Sequence, residues 1–284
     1  MKTVLQLMIT FSLGWILLAC TSSNEPVAHQ GQAKEKIVLG AWGSDAEIWK
    51  HIAHSPQTRD LGVNIEVREI NDGIALNQAL LDRQIDVNAF QSWAYFKEFN
   101  QLHNQQLAAL ATTYLEPMGL YSLRFKSVEQ LPVKAVVAIP NDVANTSRAL
   151  RLLEKAGLIQ LKPGFNTISG TVKDVVANPK QLQFKQIKGV QGPRVLGEVD
   201  LVAIGNTTAL ESGLNVLQDS IFREAVQDKT VENINILAVH GSQLNHPQLQ
   251  KLGQLYHQPF VANYIKQHYG GTKLDIDLPV SELH

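Results

Sequence analysis

Apolar positions follow two different periods along the chain, and the two periods alternate from residue 37 onward. Short apolar or alternating runs are typical of strands, whereas apolar residues recurring every three or four positions indicate one face of a helix. Strand-like runs lie at 37–39, 63–70, 87–90, 135–139, 182–187, 201–204 and 234–239. Helix-like segments begin at Ser44 and cover 74–84, 93–105, 147–156, 171–176, 247–256 and 259–268. Strands alternating with helices at this spacing predict βαβ units, and so an α/β fold with parallel sheets.

The first helix carries a sequence signal for its start. Ser44 and Glu47 have the spacing of a capping box, in which each side chain binds the backbone N–H of the other residue. We therefore expect a helix that begins at Ser44 and turns Ile48, Trp49 and Ile52 towards the core.

Two short segments of the chain are similar to each other. Residues 86–90 (DVNAF) and 200–204 (DLVAI) share an aspartate, an apolar residue, an alanine and a second apolar residue. Each pattern is typical of a buried strand, and each is followed directly by polar residues, namely Gln91, Ser92, Asn206, Thr207 and Thr208. Because ligands gather at the carboxyl ends of strands in open α/β sheets, we expect two similar lobes whose polar loops face a shared cleft.

The N-terminal segment has the pattern of a secretion signal. A short basic start precedes an apolar run over 4–19, which is shorter than the ~20 residues that span a bilayer and fits a signal peptide. The run ends at residues 17–20 (LLAC), which resemble the bacterial lipobox, whose cysteine is alkylated with diacylglycerol. We therefore predict a lipoprotein signal peptide over 1–19, lipidation at Cys20 and a flexible tether over 20–34. The alternative is an unmodified cysteine beside an ordinary signal peptide.

This prediction sets where the protein works. A lipid on Cys20 would anchor the chain to a membrane, with the folded part facing the periplasm or the cell exterior. Cytosolic metabolism is excluded for a chain exported in this way.

Composition narrows the functional classes further. The chain has 284 residues, of which 44% are apolar, and its 25 basic and 26 acidic side chains give a formal charge of −1. A disordered chain is excluded by the apolar content, and no charge excess supports binding to nucleic acid. The single cysteine excludes an intrachain disulfide and a cysteine-cluster metal site.

The residues give no positive indication of catalysis. The sequence has neither a glycine-rich phosphate loop nor a G-x-S-x-G nucleophile motif. His51 and His54 share a helix face, but they lack a third ligand nearby, and the other histidines are scattered. We expect a protein that is not an enzyme and holds no cofactor or metal.

Several motifs together resemble one family. They are residues 116–122 (EPMGLYS), 138–142 (AIPND), Asn145 followed by 148–150 (RAL), 152–159 (LLEKAGLI), 171–174 (TVKD) and 178–179 (NP). These motifs resemble the NlpA/MetQ family, the lipoprotein substrate-binding proteins of methionine ABC importers. The resemblance extends over about 37–271.

The resemblance implies a fold and a set of partners. The fold is the type II plan of periplasmic binding proteins, with two α/β lobes joined by a hinge that the chain crosses twice. Lobe 1 would comprise 35–120 and 234–284, and lobe 2 would comprise 121–233. The implied partners are a small amino acid trapped between the lobes, an ABC permease and the ATPase of that permease.

The resemblance also implies which residues hold the backbone of an amino acid. Arg148 is expected to grip the ligand carboxylate through two parallel hydrogen bonds, near a helix start that favours the same anion. Asn145, Asn206 and Asn235 match positions whose amides hold ligand backbone groups, with Asn233 as the alternative to Asn235. Otherwise, Arg148 would be a surface cation, and each asparagine a turn or cap residue.

Recognition of the ligand side chain is where the sequence departs from the family. Methionine-binding members typically read Asn-x-Phe-Gln-His-x-x-Tyr, and here Phe90, Gln91 and Tyr95 are retained while Ser92 replaces the histidine. Gly73 stands where an aromatic ring is frequent. Losing a ring and an imidazole removes contacts worth roughly 0.3–1.5 kcal/mol each to a thioether.

Two tryptophans are candidates to compensate for this loss. We expect a roomier or differently shaped pocket that Trp42 or Trp93 refills. The ligand is therefore expected to be methionine or a related amino acid or derivative. The alternatives are a surface lipoprotein for adhesion or scaffolding with a vestigial cleft, and an enzyme on the same two-lobed plan, for which no catalytic pair is evident.

Overall fold

The chain folds into alternating strands and helices, as the apolar periods predicted. The structure is a computed structural model and describes residues 36–225 and 230–283. The strands are β1 (Lys36–Ala41), β2 (Asn64–Glu69), β3 (Val87–Ser92), β4 (Leu107–Thr112), β5 (Tyr114–Leu115), β6 (Met118–Tyr121), β7 (Val136–Pro140), β8 (Gln160–Leu161), β9 (Val175–Ala177), β10 (Gln183–Ile187), β11 (Leu201–Gly205), β12 (Phe222–Arg223), β13 (Asn235–His240) and β14 (Leu274–Asp275). The helices are α1 (Gly43–His54), α2 (Pro56–Asp60), α3 (Gly73–Leu81), α4 (Trp93–Leu102), α5 (Val143–Lys155), α6 (Asn206–Glu211), α7 (Pro247–Tyr256) and α8 (Pro259–Tyr269).

Two five-stranded sheets organise the molecule. The first has the strand order β2-β1-β3-β13-β4 and the second has the order β10-β7-β11-β6-β12. In each sheet three parallel strands are followed by an antiparallel one, which is β13 in the first and β6 in the second. Each sheet is the centre of a lobe with its own apolar core, so the expected two-lobed α/β fold is confirmed.

The two similar segments identified in the sequence occupy equivalent places. Asp86 precedes β3 and accepts a hydrogen bond on Oδ2 from the N–H of Val38 on β1, over 2.7 Å. Asp200 precedes β11 and accepts in the same way from the N–H of Val136 on β7, over 2.8 Å. The backbone N–H of each aspartate also donates to the carbonyl of that same valine. The repeated aspartate therefore fixes the same parallel register in both sheets.

The strands of the second sheet lie, along the chain, between two sets of strands of the first sheet. The chain leaves the first sheet after β4 and enters the second at β6, and β12 and β13 belong to the second and the first sheet, respectively. All of β6, from Met118 to Tyr121, pairs with β11. The chain therefore enters the second sheet before the boundary between residues 120 and 121 that the sequence suggested.

Two helix starts differ from the prediction. The capping box at Ser44 is not formed, because α1 already begins at Gly43 and the Oγ of Ser44 lies 3.1 Å from the Oγ1 of Thr207 instead. The start of α5 at Val143 is four residues earlier than expected, because the Asp142 carboxylate caps it by accepting from the N–H of Asn145. The inward direction of Ile48, Trp49 and Ile52 is confirmed.

The short helix that the sequence predicts over 171–176 does not form as an α-helix. Only a 3₁₀ turn forms at Val172–Asp174, and β9 follows it directly. The predicted signal peptide, the tether and Cys20 lie outside the described residues. Among the residues that the structure describes, none of the helices is both long and apolar enough for a membrane span.

Candidate functional site

A cavity of about 280 Å³ lies where the parallel strands of both sheets end. The segments that follow β1, β3, β7 and β11 all contribute to its wall, which is the place where open α/β sheets bind ligands. Its volume is close to the lower limit of ~300 Å³ for small-molecule sites. The lining residues are Trp42, Asn71, Asp72, Gly73, Ile74, Phe90, Gln91, Ser92, Tyr95, Glu116, Met118, Pro140, Asn141, Asp142, Asn145, Arg148, Lys188, Gly189, Val190, Gly205, Thr207, Thr208 and Asn235.

Arg148 lies in this wall on the second turn of α5 and is 9% exposed. Its Nε donates to Oε1 of Glu224 over 2.9 Å, and its Nη2 donates to Oε2 of Glu224 over 2.6 Å. Nη2 also donates to the carbonyl of Glu116 over 2.7 Å. Nη1 forms no hydrogen bond with any described residue, so it is the nitrogen that remains for a ligand.

Glu224 was not foreseen from the sequence. Besides Arg148, its carboxylate accepts from the N–H of Met118 over 2.8 Å and from the Nδ2 of Asn233 over 3.2 Å. Burial opposes ionisation, but the charge and hydrogen bonds of Arg148 outweigh it and hold the pKa of Glu224 below its usual value. The expected two-bond grip of Arg148 is thus made on the protein's own carboxylate.

Asn145 and Asn235 both line the cavity, as expected. The Nδ2 of Asn145 donates to Oδ2 of Asp142 over 3.1 Å. The side-chain amide of Asn235 has no hydrogen-bond partner within residues 36–225 and 230–283, although the residue is only 6% exposed. Asn235 therefore offers a donor and an acceptor to whatever enters the cavity.

The position of Asn206 differs from the expected one. It is fully buried and is not part of the cavity wall, because its Nδ2 donates to Oε2 of Glu116 over 3.0 Å. Its neighbour Thr207 lines the cavity instead. The alternative residue Asn233 is bound to Glu224, so it also supports the site from behind.

Two aromatic rings form the part of the wall next to Gly73. Phe90 and Tyr95 meet edge to face with their centroids 5.7 Å apart. A Cβ added to Gly73 would lie 2.8 Å from Cε2 of Phe90 and 2.8 Å from the hydroxyl oxygen of Tyr95. The space beside Gly73 is therefore filled by these rings, so the pocket is not roomier there. Burial raises the pKa of Tyr95, with help from Asp142, and its hydroxyl stays protonated.

Some of the remaining predicted residues line the cavity, and others make contacts elsewhere in the fold. Trp42 lines the cavity. Gln91 does so while held by Asn77, whose Oδ1 lies 2.8 Å from the Nε2 of Gln91. Ser92 caps α4 by accepting from the N–H of Tyr95 over 3.3 Å. Trp93 is not among the residues that line the cavity, because it packs against an apolar cluster and stacks on Phe96, with the ring centroids 5.3 Å apart.

A group of buried polar side chains, which we call the Lys273 cluster, lies against the cavity wall and consists of Asp45, Tyr114, Glu116, Thr207 and Lys273. The Nζ of Lys273 is 2.8 Å from Oε2 of Glu116, 3.3 Å from Oγ1 of Thr207 and 3.8 Å from Oδ1 of Asp45. It also lies 3.7 Å from the ring centroid of Tyr114. Glu116 and Thr207 belong to the cavity wall as well, so the cluster connects directly to the site.

The pKa values of the two carboxyl groups in the Lys273 cluster are shifted in opposite directions. Burial opposes ionisation of Glu116, but Lys273 outweighs it and lowers the pKa of Glu116 below its usual value. Burial raises the pKa of Asp45 to about 6, although Lys273 acts in the opposite direction. No local sequence pattern indicates this cluster, because Asp45, Glu116 and Lys273 are far apart along the chain.

Comparison with known proteins now identifies the family. The family model described as NlpA lipoprotein matches residues 37–276. The chain belongs to the NlpA lipoprotein family. This confirms the resemblance drawn from its motifs.

Members of the NlpA lipoprotein family and solved structures cover nearly all of the chain. Lipoprotein 28 of Escherichia coli (strain K12) is 33% identical over 260 residues, which are 91% of this chain and 92% of that protein. The methionine-binding lipoprotein MetQ of Bacillus subtilis (strain 168) is 32% identical over 270 residues, or 94% of each chain. A nutrient-binding protein from Burkholderia cenocepacia, solved bound to methionine, is 33% identical with a TM-score of 0.79 and covers 84% of this chain and 99% of its own.

The described part of the chain groups no three His, Cys, Asp or Glu side chains in a way that could hold a metal ion. The two histidines that share a face of α1 have other contacts. His51 stacks on Tyr264 with centroids 4.1 Å apart, and the Nδ1 of His54 lies 2.7 Å from the carbonyl of Lys50.

Proposed function

We propose that this protein is a lipid-anchored substrate-binding protein of an ABC importer for methionine or a related amino acid or derivative. The observation that carries the proposal is that Arg148 and Asn235 line one cavity, while Nη1 of Arg148 and the side-chain amide of Asn235 have no hydrogen-bond partner among the described residues. Relatives named as methionine-binding lipoproteins support it. Lipidation at Cys20 would place the folded part outside the cytoplasm, next to a permease and its ATPase.

An amino acid fits the polar side of the cavity. Its carboxylate would accept from Nη1 of Arg148, and a ligand without a carboxylate would cover this donor and leave it unsatisfied. Its ammonium would donate to the Oδ1 of Asn235 and to Glu116, whose carboxylate stays ionised beside the cavity. Both charged groups would then be desolvated together, each with a partner.

The apolar side of the cavity fits a short apolar side chain. Trp42, Phe90, Tyr95 and Met118 present rings and a thioether, which pack well against sulfur or alkyl groups. Function would consist of closing the lobes on the ligand, because contacts to both lobes shift the population towards the closed state. No chemical step is required.

The proposal is tested by thermal shift against both enantiomers of the amino acids, using the mature chain. A ligand at about 100 times its Kd should add about 2.7 kcal/mol of stability. Arg148→Ala should abolish the shift, whereas Arg124→Ala removes a half-exposed arginine outside the cavity wall and should leave it unchanged. Since Arg148→Ala leaves the buried Glu224 carboxylate without its cation, Arg148→Met combined with Glu224→Gln provides a second variant that should fold and not bind.

Two results would contradict the proposal. The first is that no amino acid stabilises the wild type, which would favour the surface lipoprotein with a vestigial cleft. The second is that variants lacking the guanidinium of Arg148 bind as tightly as the wild type.

A further inference from the structure

The side of the cavity that holds Arg148 contains two ion pairs whose charges cancel. Arg148 pairs with Glu224 over 2.6 Å, and Lys273 pairs with Glu116 over 2.8 Å. All four side chains are 12% exposed or less. Because each pair is neutral, these four side chains present no excess of either charge to a ligand. The other charged residues of the cavity wall are Asp72, Asp142 and Lys188.

We propose that Glu224 makes the site selective for ligands without net charge. It neutralises Arg148 and fixes the orientation of the guanidinium, so that only net-neutral zwitterions bind tightly. This inference rests on the proposed function. Glu224 acts as a positioning residue, since it occupies the Nε and Nη2 edge of the guanidinium and leaves Nη1 for the ligand.

Glu224 is built into the protein too firmly to be displaced by a ligand. Its Oε2 accepts from the N–H of Met118, which belongs to β6, and its Oε1 accepts from the Nδ2 of Asn233. A ligand carboxylate that displaced Glu224 from Arg148 would leave a buried carboxylate facing a second carboxylate at short range. The ligand must therefore share Arg148 with Glu224.

Sharing Arg148 makes the ammonium of the ligand essential. A bare guanidinium in a buried site would attract any carboxylate strongly, because the local dielectric constant is low. With Glu224 in contact, a carboxylate that brings no cation adds a net negative charge beside Glu116 and Glu224. A zwitterion adds none, so only the zwitterion keeps the site balanced.

The inference predicts a specific change in selectivity. The probes are the amino acid that binds best in the screen and the same acid with hydrogen in place of the ammonium, which for methionine is 4-(methylthio)butanoate. In the wild type, the deaminated acid should bind about 100-fold more weakly. In Glu224→Gln, which keeps the shape and removes the charge, the ratio of the two Kd values should fall by about tenfold or more.

Two further variants separate charge from structure. Glu224→Asp keeps the charge and should keep the wild-type ratio, even if its shorter arm weakens both ligands. Glu198→Gln removes a carboxylate whose side chain is 65% exposed, and it should change neither Kd. All Kd values are measured by calorimetry on variants whose unfolding transition has been checked.

Failure of this inference differs from failure of the proposed function. The inference is wrong if the Kd values of the wild type for the amino acid and for its deaminated form differ by less than about threefold. This test uses the wild type alone, so it does not depend on whether Glu224→Gln folds. It is also wrong if Glu224→Gln weakens both ligands by the same factor. Only the absence of amino-acid binding to the wild type would contradict the proposed function itself.

Discussion

Lys273 and Glu116 form an ion pair shielded from solvent, with Nζ 2.8 Å from Oε2 and the lysine side chain 0% exposed. Glu116 also belongs to the cavity wall, so the pair joins the ligand site to the segment that follows α8. A buried ion pair adds little net stability, but removal of one partner leaves the other charge uncompensated. Replacing only one of these two residues should therefore lower the stability of the fold.

Replacing Lys273 alone should be strongly destabilising. We expect Lys273→Met to lower the free energy of unfolding by about 3–5 kcal/mol, because Glu116 is left buried without its cation. The double variant Lys273→Met with Glu116→Gln should lose less than the single variant, since no charge is then left unpaired. Urea denaturation measures both values, and Lys185→Met, which removes a half-exposed lysine, is the control. A loss below about 1 kcal/mol in the single variant would contradict the argument.

The carboxyl of Asp45 should make stability depend on pH. Burial raises its pKa from 3.8 to about 6, so between these values the folded chain binds a proton that the unfolded chain does not. The free energy of unfolding therefore falls as pH rises from about 4 to 6, by about 3 kcal/mol from this group. We expect the stability difference between wild type and Asp45→Asn to shift by that amount over this window. Asp60→Asn, at an exposed position on α2, is the control, and equal pH profiles for all three chains would refute the prediction.

The sheets could be predicted from the sequence because they depend on local periods. Strand runs such as 135–139 are continuous apolar segments, and the helices α7 and α8 show their period and carry a proline at the first turn. The repeated aspartates at 86 and 200 indicated two similar lobes, and they proved to fix the same register in each sheet.

What could not be predicted depends on contacts between distant parts of the chain. Glu224 is 76 positions from Arg148, and Lys273 is 157 positions from Glu116. Neither pair has a local pattern. The capping box at Ser44 is a local signal that a distant residue overrides, because Thr207 takes the hydroxyl that would have capped α1.

Gly43 allows α1 to lie directly against α6. Its φ is +54°, and a Cβ there would lie 2.6 Å from Oε1 of Glu211 and 2.9 Å from Cγ2 of Thr207. Because α1 packs on the first sheet and α6 follows a strand of the second, a larger residue should hold the lobes apart. We expect Gly43→Ala to weaken ligand binding by about tenfold, although Gly43 does not line the cavity.

The control for Gly43→Ala has the same backbone strain without the contact. Gly62 has φ of +70° and open space around it, so Gly62→Ala should cost about 1–2 kcal/mol of stability and leave the Kd unchanged. Calorimetry gives the Kd and a thermal scan gives the Tm of each variant. If both variants lose the same stability and neither changes the Kd, Gly43 has no role in closure.

Ser92 combines a structural role with a position in the wall. Its Oγ caps α4, so Ser92→Ala should lower the free energy of unfolding by about 1 kcal/mol. Ser92→His loses the same cap but places an imidazole in the cavity wall, where methionine-binding members of the family typically have one. We expect Ser92→His to favour methionine over leucine, because the added ring contacts a thioether more favourably than an alkyl chain, by about 0.3–1.5 kcal/mol. The ratio of the two Kd values is compared with that of Ser92→Ala, which removes the effect of the cap. An equal ratio in the two variants would mean that residue 92 does not contact the ligand side chain.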